Sequence, residues 1–236
     1  MSDSKSKVRF IFVNGGPASG KDTQAELLAQ KMPDSSVISP GGILRDLSTK
    51  HEESPYAPFF KLNTTNLRDT LRHGRNVNPK ALTNGIVNLV NHELEEGRRN
   101  FIFAGYPREE RSYWGITMYL ENLRREGAYD AVKDQFVYLN VSEGELWKRF
   151  DERVQDAIND GREVRHDDLH GEFDERIKTF MQNTAPLIED LLLDGKLITV
   201  DAMGPSEETQ RELVWALGLQ KITSVEGAAH NPQMRK

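Results

Sequence analysis

Apolar and polar positions along the 236-residue chain alternate between a strand-like and a helix-like period. Residues 8–13 (VRFIFV) form a short, nearly unbroken apolar run rich in β-branched and aromatic side chains, as expected of a strand buried on both faces. A Gly-rich turn follows, and then TQAELLAQKM, with apolar positions at helical spacing. The alternation repeats. SSVIS (35–39), FIFAG (101–105), QFVYLNV (135–141) and KLITVDA (196–202) predict strands. GGILRDLSTK predicts the start of a helix, 59–73 and 79–96 two amphipathic helices, and 109–126 another. Asn78 and Pro79 supply an N-cap and a first-turn proline, and Ser142 caps the charged helix EGELWKRFDERVQDA. A long helix is expected from about 169 to 193, kinked or broken at Pro186. Ser206 opens a capping box before the closing helix SEETQRELVWAL. YAPFF (56–60) reads either as the apolar start of a helix or as part of a pocket, and Trp114 beside Tyr113 reads as core. There is no internal repeat. Five buried strands alternating with helices predict an α/β fold with a parallel sheet covered on both faces. Residues 1–220 are expected to form one domain and 221–236 a flexible tail.

The first loop adds chemistry to this frame. NGGPASGK (14–21) places Gly15, Gly20 and Lys21 in the spacing G-x-x-x-x-G-K. Backbone N–H groups of such a loop wrap a polyphosphate, the following helix aims its positive end at it, and Lys21 neutralises charge on the outer phosphates. A Gly-rich turn that merely links strand to helix is the plainer alternative; strand, loop and helix in that order favour the phosphate loop.

Composition narrows the partners. Net charge is −6, so nothing suggests a footprint for duplex nucleic acid, and an anionic substrate needs a local cluster of arginines. The absence of cysteine excludes disulfides and thiolate-bound zinc. MSDSKSKVRF does not read as a secretory signal, and no apolar run approaches the ~18 residues of a membrane span. A soluble, cytoplasmic monomer without nucleic-acid or membrane partners is expected.

GGPASGKDTQ resembles the GGPGSGKGTQ loop of adenylate kinases and related nucleoside monophosphate kinases. The resemblance runs over roughly residues 8–219. VISPGGILR (37–45) is similar to the family's I-S-T-G-D-x-L-R, GRNVNP (74–79) to its G-x-x-V-P/T-D, and FAGYPRE (103–109) to its D-G-F-P-R-T. RFDER (149–153) keeps R-x-x-x-R, and RHDDLHGEFDER (165–176) resembles R-x-D-D followed by a distant arginine. The family implies a P-loop fold with a helical acceptor-binding insert (about 42–78) and a short lid (about 154–164). It implies ATP contacts at Gly16, Ala18, Ser19, Gly20, Lys21, Asp22, Thr23, Arg149 and Arg153. Acceptor contacts fall at Pro40, Arg45, Val77, Gly105, Arg108, Ser112, Arg165 and Arg176. Lys21, Arg108, Arg153, Arg165 and Arg176 would stabilise the transferring charge, and Arg149 would pack on the donor base. The residues themselves agree, because arginine offers phosphate oxygens a planar fork. Surface ion pairing is the alternative for any single arginine.

Four positions depart from the family pattern. Its metal-organising aspartates stand here as Ala104 and Gly42, its acceptor-site threonine as Pro40, and its adenine-reading glutamine as Ser112. The residue after Lys21, usually glycine, is Asp22. Asp22 either complements the helix dipole or binds a water of magnesium, alongside Thr23; no side chain is expected to ligate the metal directly. Beside phosphates it is tolerable with a cation nearby or with its side chain turned away. His166, Asp167, Asp168 and His170 could form a metal site, though a histidine in a charged loop is more often solvated.

The expected function is Mg·ATP-dependent phosphoryl transfer to a nucleoside monophosphate. AMP is the first choice, with CMP, UMP or a deoxynucleotide as alternatives. A catalytically weak nucleotide-binding protein is the rival reading, and a P-loop kinase with another small acceptor a third.

Overall fold

Successive residues of a strand face opposite ways, and in the first strand both directions are apolar. β1 (Lys7–Asn14) turns Phe10 and Phe12 to one face and Ile11 and Val13 to the other. It pairs in parallel with β3 (Asn100–Ala104) and β4 (Ala131–Asn140). The register sets Phe12 beside Phe103 and Phe136, with ring centroids 4.7 and 4.6 Å away. β2 (Ser35–Ile38) adds to β3 and β5 (Leu197–Asp201) to β4, giving a parallel sheet of five strands in the order β2-β3-β1-β4-β5. The computed structural model describes residues 7–62, 67–72, 77–162, 164 and 170–220.

Helices cover both faces, which is why the strands read as unbroken apolar runs. On the phenylalanine face pack α2 (Pro40–Lys50), α4 (Pro79–Glu95), α5 (Glu110–Glu126) and α8 (Ala185–Leu193). The other face carries α1 (Lys21–Ala29), α6 (Glu143–Asn159), α7 (His170–Thr179) and α9 (Ser206–Ala216). β1 leads through α1 to the far edge at β2, while β4 and β5 lie on its other side. The chain therefore changes direction at β1, and the carboxyl ends of β1 and β3 border the crevice where such sheets bind ligands.

Several local expectations change. β2 ends one residue early, because Ser39 leaves the strand to cap α2: the Gly42 N–H donates to its Oγ at 3.4 Å. β4 begins at Ala131, before the apolar run, carried by pairing with Lys7 and Val8. Of the helix expected over 59–73, only α3 (Leu67–Arg72) is helical, while 63–66 and 73 lie outside the described residues. The YAPFF stretch is instead a turn pinned to α4. Phe60 fills the space over Gly85, where a Cβ would come within 2.1 Å of its ring, and the Phe59 ring lies 5.1 Å from that of His92. Two adjacent aromatics engage one neighbouring helix, which a segment turning about 100° per residue would not allow so readily.

The helix expected over 169–193 is α7 and α8 joined by a π-helical turn (Phe180–Thr184), which sets Pro186 in the first turn of α8, where its missing N–H costs nothing. Ser206 is the first residue of α9 and not its cap; its hydroxyl and carbonyl both accept from Gln24 Nε2 at 3.0 Å. Trp114 is 56% exposed and so not core, while Tyr113 beside it is buried. The caps expected at Asn78 and Ser142 are formed, accepting from the N–H groups of Ala81 and Glu145. Among the described residues no helix is long and apolar enough to cross a membrane.

Candidate active site

The loop from β1 to α1 is shaped by what its residues cannot carry. A Cβ on Gly15 would fall 2.5 Å from Ser19 Oγ, and one on Gly16 would fall 2.6 Å from Leu146 Cδ1. Ala18 (φ 60°) and Gly20 (φ 87°) turn left-handed, and the Ser19 N–H donates back to the Gly16 carbonyl at 3.2 Å. Gly20 caps α1 without a side-chain hydrogen bond, so the first-turn amides of α1 stay available to an anion. Beside this turn Ser19, Gly20, Thr23, Lys148, Arg149 and Thr209 help line an open cleft of about 510 Å³.

Lys21 folds over the loop, donating to the Gly16 carbonyl at 3.2 Å. Its stem lies against Gly105, which is left-handed (φ 73°) and where a Cβ would meet Lys21 Cε at 2.9 Å. Burial pushes the Lys21 ammonium down to about 8. The positive charges of Arg108, Arg176 and Arg153 push the same way, and Asp22 opposes them. Residues from the β3–α5 loop, α7 and α6 thus bring positive charge to the lysine of the phosphate loop.

Each arginine has its own support. Arg108 Nε donates to the Gly105 carbonyl at 3.0 Å, and its own carbonyl accepts from Thr184 Oγ1 at 2.8 Å. Asn14, buried at the end of β1, donates to the Tyr106 and Pro107 carbonyls and so steadies the same turn. Arg45, on α2, approaches Arg108 across Gly41: a Cβ there would lie 3.4 and 3.5 Å from the two guanidinium groups. Arg153 and Arg176 lie against Phe150 and Phe173, each three residues earlier on its own helix, at 6.0 and 5.9 Å from the ring centroids. Those two rings are buried and stacked.

Arg149, expected to pack on the donor base, lines the cleft beside the phosphate loop and is also held by the protein's own groups. Its guanidinium donates to the carbonyls of Ala202 (2.7 Å), Met203 (3.4 Å) and Ser19 (3.4 Å), and pairs with Glu145 at 3.0 Å. It ties the phosphate loop to the β5–α9 loop, and Gln24 makes the matching tie through Ser206. The plane of a guanidinium so engaged is fixed by the protein's own carbonyls.

Asp22 reaches the start of α2, where Ser39 Oγ donates to its Oδ1 at 2.8 Å. Burial raises its carboxyl, but Lys21, the Ser39 hydroxyl, Arg45 and Arg108 outweigh that and hold it below the ordinary carboxylate range. Pro40 opens α2, and Val77 packs half-buried on the core before α4. Ser112 is buried in the first turn of α5, where its carbonyl accepts from the Tyr106 hydroxyl at 3.3 Å. Ala104 ends β3, fully buried, without a polar group to offer a metal. Arg165, Asp167 and Asp168 lie outside the described residues. Among the described residues no three histidine or acidic side chains form a group that could hold a metal ion.

Sequence reasoning missed Ser39, although Ser39–Pro40 repeats the cap-and-proline pattern read correctly at Asn78–Pro79. It also missed the roles of Gln24, which hydrogen-bonds to Ser206, and of Phe150 and Phe173, which act through packing.

The family model described as "AAA domain" matches residues 14–168, from the end of β1 through α6 and beyond. The chain belongs to the AAA domain family. It is adenylate kinase-like within that class. An adenylate kinase of Bartonella quintana (strain Toulouse) is 29% identical over 209 residues, covering 86% of this chain and 96% of that protein. One of Rhizobium meliloti (strain 1021) is 29% identical over 211 residues, 87% and 97% of the two chains. One of Agrobacterium fabrum (strain C58 / ATCC 33970) is 29% identical over 201 residues, 83% and 90%.

Proposed function

We propose that the protein is a phosphotransferase that moves the γ-phosphoryl group of Mg·ATP to the phosphate of a nucleoside monophosphate, with AMP as the favoured acceptor. The observation that carries this reading is the convergence of Arg108, Arg153 and Arg176 on Lys21, with Arg45 meeting Arg108 across Gly41. A protein that only binds one nucleotide has little need of cationic groups from four separate elements around one point. Two phosphates brought together for transfer need them.

In this reading the loop amides and Lys21 hold the donor phosphates, and Arg45 and Arg108 hold the acceptor phosphate. An acceptor oxygen attacks the γ-phosphorus in line as the bond to the β–γ bridging oxygen breaks, giving two nucleoside diphosphates. Arg153, Arg165 and Arg176 stabilise the charge spread over the transferring oxygens. No side-chain nucleophile is required. The insert over 42–78 and the short lid over 154–164 close on the substrates and keep water from competing as acceptor.

Magnesium fits this site as the nucleotide's own ion. The Thr23 hydroxyl in the first turn of α1 and the second oxygen of ionised Asp22 are the groups that would hold waters of its shell, and it would neutralise the donor phosphates. At Ser112 a short hydroxyl stands where the family has an amide, which leaves CMP, UMP or a deoxynucleotide as secondary acceptors.

The rival, a catalytically weak nucleotide binder, draws on Ala104 and Gly42, which offer no carboxylate to a metal. Incubation with ATP, magnesium and each nucleoside monophosphate in turn, followed by chromatography, separates the two. The kinase reading expects diphosphate from one preferred acceptor, lost in Lys21→Ala. ATP binding without turnover of any acceptor supports the rival.

A further inference from the structure

Asp22 interacts electrostatically with Lys21, Arg45 and Arg108. Its position is not casual. The carboxylate belongs to α1, on the donor side, yet its Oδ1 accepts from Ser39 Oγ at 2.8 Å, and the same oxygen of Ser39 caps α2 by accepting from the Gly42 N–H. α2 in turn carries Arg45. A hydroxyl that donates to an ionised carboxylate is the better acceptor for the amide behind it, so carboxylate, hydroxyl and helix end hold one another in place.

We propose that Asp22 is a tethered counter-anion, which balances Lys21, Arg45 and Arg108 while no phosphate is bound and with which an incoming phosphate must compete. The inference deepens the kinase reading and rests on it for the identity of the phosphates, though not for the competition itself. Filling the site is then an exchange of anions at a shared set of cations. Asp22 sets the affinity at which nucleotides bind and leave, and acts as an affinity-determining residue, not as a metal ligand. At a separation of about 6–8 Å and an effective dielectric near 20, the repulsion is large enough to dominate the small gain from capping α2.

The sign of one isosteric change tests this. Asp22→Asn keeps an oxygen for Ser39 to donate to and removes the charge. Binding of inorganic phosphate, tripolyphosphate and AMP is measured by calorimetry without magnesium, in wild type, Asp22→Asn and a distant charge control, Glu121→Gln. The expected result is at least ten-fold tighter binding in Asp22→Asn, with wild-type affinity in the control. Unchanged or weaker binding in Asp22→Asn, with its melting temperature preserved, overturns the proposal. Tighter inorganic polyphosphate binding alongside no turnover of any nucleoside monophosphate upholds the counter-anion and rejects the kinase reading, so the two failures are told apart.

Discussion

The rings of Phe150 on α6 and Phe173 on α7 stack with centroids 4.1 Å apart and planes 21° from parallel, and Trp147 closes on Phe173 edge-first at 73°. Three residues beyond each phenylalanine stands an arginine lying against that ring, Arg153 and Arg176. The apolar pair therefore sets where two cations sit.

Phe150→Ala removes a fully buried ring from this pair and should cost about 3–5 kcal/mol of stability, measured by denaturant unfolding. Phe150→Leu should cost less than half of that while still releasing the ring against which Arg153 rests. Its mark is a fall in kcat larger than any rise in KM, because the displaced cation serves the transferring charge more than ground-state binding. An unchanged kcat in the leucine variant would show that Arg153 is positioned by other contacts.

Lys21 gives a pH dependence with a defined sign. Its pKa falls from 10.5 in the unfolded chain to about 8 in the fold, so between those values the unfolded chain binds the extra proton. Stability therefore rises with pH across about 8 to 10.5, and the penalty is complete below that window. Lys21→Met should remove this slope, stabilise the ligand-free protein by about 3 kcal/mol near neutral pH, and abolish turnover. Thermal unfolding at pH 7 and 9.5 reads the slope. A wild type that is equally stable at both, by this residue's contribution, speaks against a buried cationic lysine.

Arg149 is a strut between two loops. Arg149→Lys keeps the charge but cannot reach the carbonyls of Ala202, Met203 and Ser19 together. A loss of about 1–3 kcal/mol of stability is expected, with a higher KM for ATP. If stability is untouched and only ATP affinity falls, the side chain belongs to the nucleotide and not to the loops.

Gly85 faces the Phe60 ring at a distance that leaves no room for a methyl group. Gly85→Ala should destabilise by about 1–3 kcal/mol despite the better helix propensity of alanine. Gly85→Ala combined with Phe60→Leu should recover part of the loss, which double-mutant unfolding would detect.

Much of this was legible in the chain itself, and the exceptions have physical reasons. The five strands and the phosphate loop declare themselves because burial on both faces demands apolar runs and the loop demands glycines. The start of β4 hides behind Lys133 and Asp134, polar residues that pair with β1 all the same. Residues 59–62 carry helical periodicity, but the notch at Gly85 draws Phe60 out of it. Ser206 has the spacing of a cap and spends its hydroxyl on Gln24, a partner far away in the chain. The arginines stand in recognisable motifs, yet nothing local tells that Arg149 turns to backbone carbonyls while Arg153 turns to a phenylalanine. Asp22 is the sharpest case. As a departure from a motif it raises a question that only Ser39, brought close by folding, answers.

Following the γ-phosphate itself tests the central claim most directly. With ATP labelled at the γ-position, magnesium and AMP, the label should appear in the β-phosphate of newly formed ADP, and should stay in ATP when Lys21→Ala replaces the wild type. Label released as inorganic phosphate, or left wholly in ATP by the wild type with every nucleoside monophosphate tried, would contradict phosphoryl transfer to a nucleotide.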